Sequence, residues 1–286
     1  MPFIGGGGVE KNLFIIANHL SKKFKKIKIC TLSRKKLGEF NSKIKYLGPK
    51  KNINEKINIK IKYLISLFIL FRFLIKNKNS TVFAFQANIY CIVLCKLLKV
   101  KIIVRSNSSP SGWYHNFFKK IIYKYLISKA DCVIVNSIEF KKQMQKKFNI
   151  FVNCIFNPLD LKKIRKLSNS GLADPFFNKN KCLKLINLGR FTDQKDQITI
   201  LKACKILKDK LNFRLLIFGR GIEKNNMQKF IFDNDLNKNV KLRNFIENPY
   251  KAINQSDIFI LSSKYEGLPN VLLEAASLKK IILSTK

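Results

Sequence analysis

Glu266 and Glu274 stand eight positions apart in Tyr265-Glu266-Gly267-Leu268-Pro269-Asn270-Val271-Leu272-Leu273-Glu274, on a loop that turns into a helix. Residues 257–261 read as a buried strand and 262–268 as its exit loop, and Pro269 sits where a first helical turn tolerates proline. A helix N-terminus at the carboxyl end of a strand offers unbonded backbone N–H groups and the positive end of the helix dipole to an anion. Carboxylates on either side accept hydrogen bonds from hydroxyls. The pattern fits a diphosphate flanked by sugars. Strand, turn and helix with surface acids also occur without a ligand, so this stretch does not decide the matter alone.

A second stretch with the same logic lies upstream. Residues 183–188 form an apolar strand ending in Gly189-Arg190-Phe191, followed by Asp193-Gln194-Lys195-Asp196 and an amphipathic helix over 198–207. Arg190 offers a fixed fork of donors and Lys195 a mobile point charge, a combination suited to a diphosphate leaving group. The plainer reading is two solvated cations in a very basic chain. A third strand, 213–218, ends in Gly219-Arg220-Gly221. Three strand ends carrying glycine, charge or both belong on one sheet edge, because ligands of open parallel sheets bind at the carboxyl ends of the strands.

The elements that must position these residues alternate at the pace of a parallel α/β sheet. In the first half the pattern predicts helices over 9–24, 62–75, 89–98, 114–127 and 139–148. Strands are predicted over 27–32, 81–85, 101–105, 132–136 and 152–156. Asn157-Pro158 stops the last strand, and residues 168–180, rich in Ser, Gly, Asn and Pro, read as an interdomain linker. Two domains result, 1–170 and 171–286.

These residues resemble a family 4 glycosyltransferase with the GT-B fold. The likeness runs from Gly5-Gly6-Gly7-Gly8-Val9-Glu10-Lys11-Asn12 through Asn157-Pro158-Leu159-Asp160, Leu188-Gly189-Arg190 and Asn248-Pro249-Tyr250 to the Glu266/Glu274 pair. The resemblance implies two Rossmann-like domains facing across a cleft, the first binding acceptor and the second a nucleotide sugar, here a UDP-sugar. It also implies transfer with retention of anomeric configuration, with no metal and no cofactor. On that reading Arg190 and Lys195 neutralise the departing diphosphate, Glu266 contacts the donor sugar and Glu274 holds the ribose hydroxyls. The backbone from Gly267 through Leu268 and Pro269 to Asn270 meets phosphate or sugar, and Gly189, Gly219 and Gly221 line the nucleotide. Gly7 and Gly8 let backbone approach the ligand from the first domain, and Glu10 complements the start of its helix. Arg105 and Asn107 lie on the acceptor side, where many relatives carry a histidine. His115 reads as a surface or packing residue.

Composition narrows the partners. The chain of 286 residues is 47% hydrophobic, enough for a sizeable core. Its seven cysteines show no two-residue zinc spacing and read as small core residues of a reducing compartment, and two histidines cannot build a histidine-rich metal centre. Lys and Arg outnumber Asp and Glu by 56 to 17, a formal net charge of +39. An AT-rich genome would inflate Lys, Asn and Ile together, yet so large a deficit of acids favours an anionic partner surface. An anionic membrane is the expected surface, with the protein cytoplasmic and peripheral on its inner face. The apolar run 63–75 is too short to span a bilayer and reads as a buried helix, with an interfacial helix as the alternative. Residues 1–8 do not read as a secretory signal. A nucleic-acid-binding module is disfavoured because Phe83, Phe85 and Phe218 occupy core positions rather than a stacking face.

Both ends look cut. Only Met1 to Ile4 precede the glycine turn, room for a strand stub where a Rossmann unit needs its central strand, and the chain ends soon after the strand 280–284. The sequence therefore reads as a retaining transferase of a hexose or N-acetylhexosamine to a glycan or lipid-linked acceptor. An inactive remnant of such an enzyme is the alternative.

Overall fold

The computed structural model describes the chain except for residues 3, 5, 6, 35, 36, 51–56, 108–116, 171–173, 179, 180 and 286. Two units divide it, Met1–Pro158 and Leu159–Lys286. Every strand pairing in both is parallel.

The first unit begins with α1 (Gly8–Leu20), β1 (Ile27–Cys30) and β2 (Ile44–Leu47), the last two forming a small sheet. There follow α2 (Ile59–Ile75), β3 (Thr81–Ala84), α3 (Asn88–Leu97), β4 (Lys101–Ser106), α4 (Phe117–Ser128), β5 (Cys132–Val135), α5 (Ile138–Phe148) and β6 (Asn153–Cys154). The second sheet has the sequential order β3-β4-β5-β6. Ile102 and Val104 of β4 and Val133 and Val135 of β5 share a buried cluster with Leu74, Ile92, Cys95, Phe140 and Met144 from the covering helices. Local chemistry sets the helix ends. The Asn58 side chain accepts from Lys60 N at 2.9 Å and Ser137 Oγ from Phe140 N at 3.1 Å, and Asn149 closes α5 in the left-handed region at φ 52°.

Met1, Pro2 and Ile4 lie against β1 and its exit. The Met1 ammonium donates to Cys30 O at 2.9 Å, Leu32 N donates to Pro2 O at 3.0 Å, and Ile4 is buried with Leu13, Ala17, Ile29 and Phe85. Two expectations are corrected here, and β2 is a strand that the sequence pattern did not predict. β6 covers two residues rather than 152–156: Ile155 N still donates to Val135 O at 2.9 Å, while Ile155 O and Asn157 Oδ1 accept from Arg105 of β4. The helix read as buried over 62–75 starts at Ile59 and leaves one apolar face in solvent. Among the described residues no helix is long and apolar enough to cross a membrane.

The second unit contains α6 (Leu161–Asn169), β7 (Leu183–Leu188), α7 (Gln197–Leu207), β8 (Phe213–Gly219), α8 (Lys224–Asp233), β9 (Val240–Asn244), α9 (Tyr250–Gln255), β10 (Ile258–Leu261), α10 (Asn270–Ser277) and β11 (Ile281–Ser284). Its sheet has the order β11-β10-β7-β8-β9. Both faces are covered, so the central strands are mostly apolar: Leu215 and Ile217 of β8 face a core with Ile200, Leu201, Met227 and Ile231, while Leu216 and Phe218 face one with Ile164, Ile253, Phe259 and Ala275.

Within the stretch read as a linker, residues 174–177 are docked. α6 packs on α9, Asp174 pairs with Arg243 at 2.8 Å and 3.1 Å, and Arg214 donates to Phe176 O at 2.7 Å. These contacts place residues from Leu159 onward in the second unit, ahead of the boundary expected at 170/171.

Candidate functional site

The order of the second sheet fixes where a ligand can sit. From β7 the chain moves to β8 and β9 on one side, then returns to lay β10 on the other side of β7. The exit loops of β7 and β10 therefore diverge, and the crevice between them is the topological switch point of the sheet. The β10–β7 ladder pairs only Ile258 with Leu185 and Phe259 with Ile186, whereas β7 and β8 pair over six positions. Beyond that short ladder the Asn187 side chain donates to Ile260 O at 2.8 Å and bridges the strands where they part.

Four of the residues singled out in the sequence converge there. Gly189, Arg190 and Lys195 lie on the β7 exit and Glu266 on the β10 exit, and Lys195 Nζ forms an ion pair with Glu266 Oε1. The pair is half-buried, and further bonds lace the two loops. Lys264 N donates to Gln194 O at 2.9 Å, Gln194 Nε2 to Tyr265 O at 3.1 Å, and Ser262 Oγ to Lys195 O at 2.9 Å, while Lys264 and Asp193 form a second ion pair. Gln197 Nε2 donates to Arg190 O at 3.0 Å, which fixes the arginine backbone and leaves its side chain exposed.

The β8 exit supports this loop from behind. A Cβ on Gly219 would stand 1.9 Å from Gly189 O, and one on Gly221, at φ 157°, would stand 2.1 Å from Phe191 O. Gly189 N donates to Phe218 O at 3.0 Å and Phe191 N to Arg220 O at 2.9 Å. The two glycines thus act here by letting the β7 and β8 exits touch backbone to backbone.

Past Glu266, Gly267 and Leu268 lead to Pro269, the N-cap of α10, which begins at Asn270. Glu274 follows one turn on. It is 2% exposed, and its Oε1 accepts a hydrogen bond from the Tyr250 hydroxyl at 3.2 Å. Burial, and then the neighbouring Glu274 carboxylate, push the Tyr250 phenol well above its ordinary range, so it stays a donor. Sequence reasoning quoted Tyr250 within Asn248-Pro249-Tyr250 without giving it a role; its spacing from Glu274 carries no local signal.

In the first unit Gly7 is the N-cap of α1, Gly8 is its first residue, and Glu10 lies in the first turn, where its charge complements the dipole. Arg105 turns inward. Only 1% exposed, it donates through Nη2 to Ile155 O at 3.0 Å and to Asn157 Oδ1 at 2.9 Å, while Asn88 Nδ2 donates to its carbonyl at 3.0 Å. Burial lowers its pKa from the ordinary guanidinium value. As described, Arg105 ties the β4 exit to residues 155–157. Asn107 is half-buried beside it; His115 lies outside the described residues. Three thiols are poor nucleophiles: burial pushes Cys95 and Cys204 up to about 12 and Cys91 to about 11. Among the described residues no group of three or more His, Cys, Asp or Glu is placed to hold a metal ion.

Residues 174–286, most of this second unit, match the family described as glycosyl transferases group 1. Over these residues the chain carries a group 1 glycosyl transferase domain. It is 35% identical over 207 residues to an uncharacterized glycosyltransferase of Methanocaldococcus jannaschii, a match covering 68% of this chain and 51% of that protein. It is 26% identical over 305 residues to the N-acetylgalactosamine-N,N'-diacetylbacillosaminyl-diphospho-undecaprenol 4-alpha-N-acetylgalactosaminyltransferase of Campylobacter jejuni, covering 99% of this chain and 78% of the relative. The chain thus spans about half the length of the first of these relatives. The Anabaena HepE structure in complex with UDP and glucose superposes with a TM-score of 0.74 at 14% identity, over 100% of this chain and 79% of that one. The fold is that of the GT-B glycosyltransferases.

Proposed function

We propose that this chain is a retaining glycosyltransferase of the family 4 type. It moves a hexose or N-acetylhexosamine from a UDP-sugar to a lipid-linked glycan at the cytoplasmic face of a membrane. The observation that carries the proposal is the meeting of Lys195 and Glu266 across the switch point, with Arg190 and the start of α10 on the same rim. A diphosphate in this crevice takes Arg190, Lys195 and the backbone N–H groups of Gly267 to Asn270 as its counter-charge. That charge matters most in the transition state, when the bond from sugar C1 to the diphosphate oxygen breaks and negative charge gathers there. The acceptor oxygen then bonds C1 on the face the diphosphate leaves, and its proton passes to a phosphate oxygen. Glu266 meets the sugar hydroxyls and Glu274, oriented by Tyr250, the ribose. Neutralisation by the chain's own cations means the reaction proceeds without a metal or cofactor.

The names of the relatives support the substrate classes: the Campylobacter protein acts on a diphospho-undecaprenol glycan, and the Anabaena structure holds UDP and glucose. The test is incubation with UDP-glucose, UDP-galactose and their N-acetyl forms, with UDP release followed by coupled assay and the anomer of the product by proton NMR. Release of UDP with an α product is expected. An inverted anomer would refute the retaining mechanism, and failure to bind or consume any of the four would refute the donor.

A further inference from the structure

Three neighbouring helices of the first unit each carry a stripe of solvent-exposed apolar side chains. On α2 the stripe is Ile61, Leu64, Phe68, Phe71 and Ile75, between 37% and 67% exposed and spaced by three and four residues along one helix face. The opposite face packs inward through Ser66, Leu70, Phe73 and Leu74. α3, which packs against both α2 and α4, repeats the pattern with Tyr90, Val93 and Leu97. α4 adds Phe118, Ile121, Ile122 and Tyr125. The Tyr63 and Tyr90 rings, 6.0 Å apart, join the first two helices. The α2 stripe runs from Ile61 to Ile75, about 21 Å at the helical rise.

The charge around these stripes has one sign. From residue 56 to residue 130, the stretch that holds all three helices, there are fourteen Lys and Arg and no Asp or Glu. Lys60, Arg72 and Lys76 belong to α2 or its end and Lys124 to α4, and Arg72 lies over the Phe68 ring at 5.9 Å. Aliphatic side chains that enter an acyl boundary, beside long cations that stay among headgroups, are the two requirements of a helix lying in a membrane interface. A second copy of the chain suits the surface poorly, since an isologous contact would bring cation against cation. Nucleic acid suits it less well, because the exposed rings of Phe68, Phe71, Tyr90, Phe118 and Tyr125 are interspersed with Ile61, Leu64, Leu97, Ile121 and Ile122, aliphatic side chains on which no base stacks.

We infer that the α2–α3–α4 face of the first unit docks on an anionic lipid bilayer, its apolar stripes entering the acyl boundary and its cations meeting the headgroups. This stands apart from the nucleotide-sugar site and requires no turnover to be tested. The full chain is floated with phosphatidylcholine vesicles, with and without about 30 mol % phosphatidylglycerol, at low and high salt. Expected are binding to the anionic vesicles, weakening with salt, and binding to neutral vesicles lower by about ten-fold or more. Leu64→Ser, Phe68→Ser and Leu97→Ser together should cut anionic binding about ten-fold or more with an unchanged melting temperature. Ile206→Ser with Ile222→Ser, exposed apolar sites of the second unit, should leave it unchanged. Lys60→Glu, Arg72→Glu and Lys124→Glu together should erase the preference for anionic lipid, which keeps the test decisive if the apolar triple variant misfolds. Wild-type flotation by a folded apolar triple variant would overturn the inference, as would lipid preference surviving the charge reversals. A change from dimer to monomer by light scattering with flotation intact would assign the face to self-association instead.

Discussion

Lys195 and Glu266, 71 residues apart in sequence, form one ion pair across the divergence of β7 and β10. The pair bridges the switch-point crevice of the second unit, and each residue supplies the other's counter-charge there. Such a partly exposed pair is worth about 1 kcal/mol or less to the fold. Its consequence is therefore for binding: an incoming diphosphate must share or take Lys195, and Glu266 is then released toward the sugar.

Opposite effects on UDP affinity are expected from the two partners. Lys195→Ala and Arg190→Ala should each weaken UDP binding by roughly 1.5–3 kcal/mol, about ten- to a hundred-fold, as charge-assisted contacts are lost. Glu266→Gln removes the competitor for Lys195 and should leave UDP affinity equal or tighter while lowering turnover. Isothermal calorimetry with UDP, beside a UDP-release assay, separates these outcomes. Weakened UDP binding in Glu266→Gln would show that Glu266 positions the nucleotide rather than holding Lys195.

The hydroxyl of Tyr250 donates to the buried Glu274 carboxylate. Tyr250→Phe keeps the ring in the apolar cluster and deletes only this donor, so unfolding free energy in urea should fall by about 1–3 kcal/mol. UDP affinity should fall with it, because Glu274 loses its fixed orientation, while affinity for inorganic diphosphate should not change. Equal losses for both ligands would mean that the substitution disturbs the whole crevice.

Much of the site was legible because its parts are local. A glycine and a cation after an apolar strand place Arg190 and Lys195 at a sheet edge, and Pro269 after a loop places a helix start. What the sequence hid is non-local. The Lys195–Glu266 pair and the Tyr250–Glu274 bond depend on β10 returning beside β7, which no local period encodes. Residues 174–177 looked like linker from their composition, but Arg214 and Arg243 bind them to β8 and β9. On α2 an apolar run was taken for a buried helix because hydropathy does not record which faces find a partner. Arg105, read as facing an acceptor, points inward because Ile155 O and Asn157 Oδ1 lie within reach of its guanidinium.

Gly219→Ala should be among the most damaging single substitutions in the second unit. Its Cβ would overlap the backbone carbonyl of Gly189, which no rotamer change can relieve. A loss of about 2–4 kcal/mol in urea is expected, with UDP binding lost at lower denaturant than in wild type. Gly38→Ala, where a Cβ would meet nothing within 4 Å, is the matched control and should be neutral. A neutral Gly219→Ala would mean that the β7 and β8 exits stand farther apart than described.

Acid should loosen the second unit through Asp174. The hydrogen bonds from the Arg243 side chain, and then that from Phe176 N, hold its carboxyl below the usual carboxylate range against the opposing effect of burial. A carboxyl with a depressed folded-state pKa stabilises the fold fully above its unfolded value, near pH 4, and that contribution drains away as pH falls through the folded value. Unfolding free energy should therefore decline below about pH 4 in wild type. Asp174→Asn keeps the volume but not the charge, so it should lower stability at neutral pH and flatten the acid limb. Urea titrations monitored by far-ultraviolet circular dichroism at pH 7 and pH 3 supply the comparison. Parallel acid limbs in wild type and variant would show that the pair with Arg243 contributes no proton-linked stability.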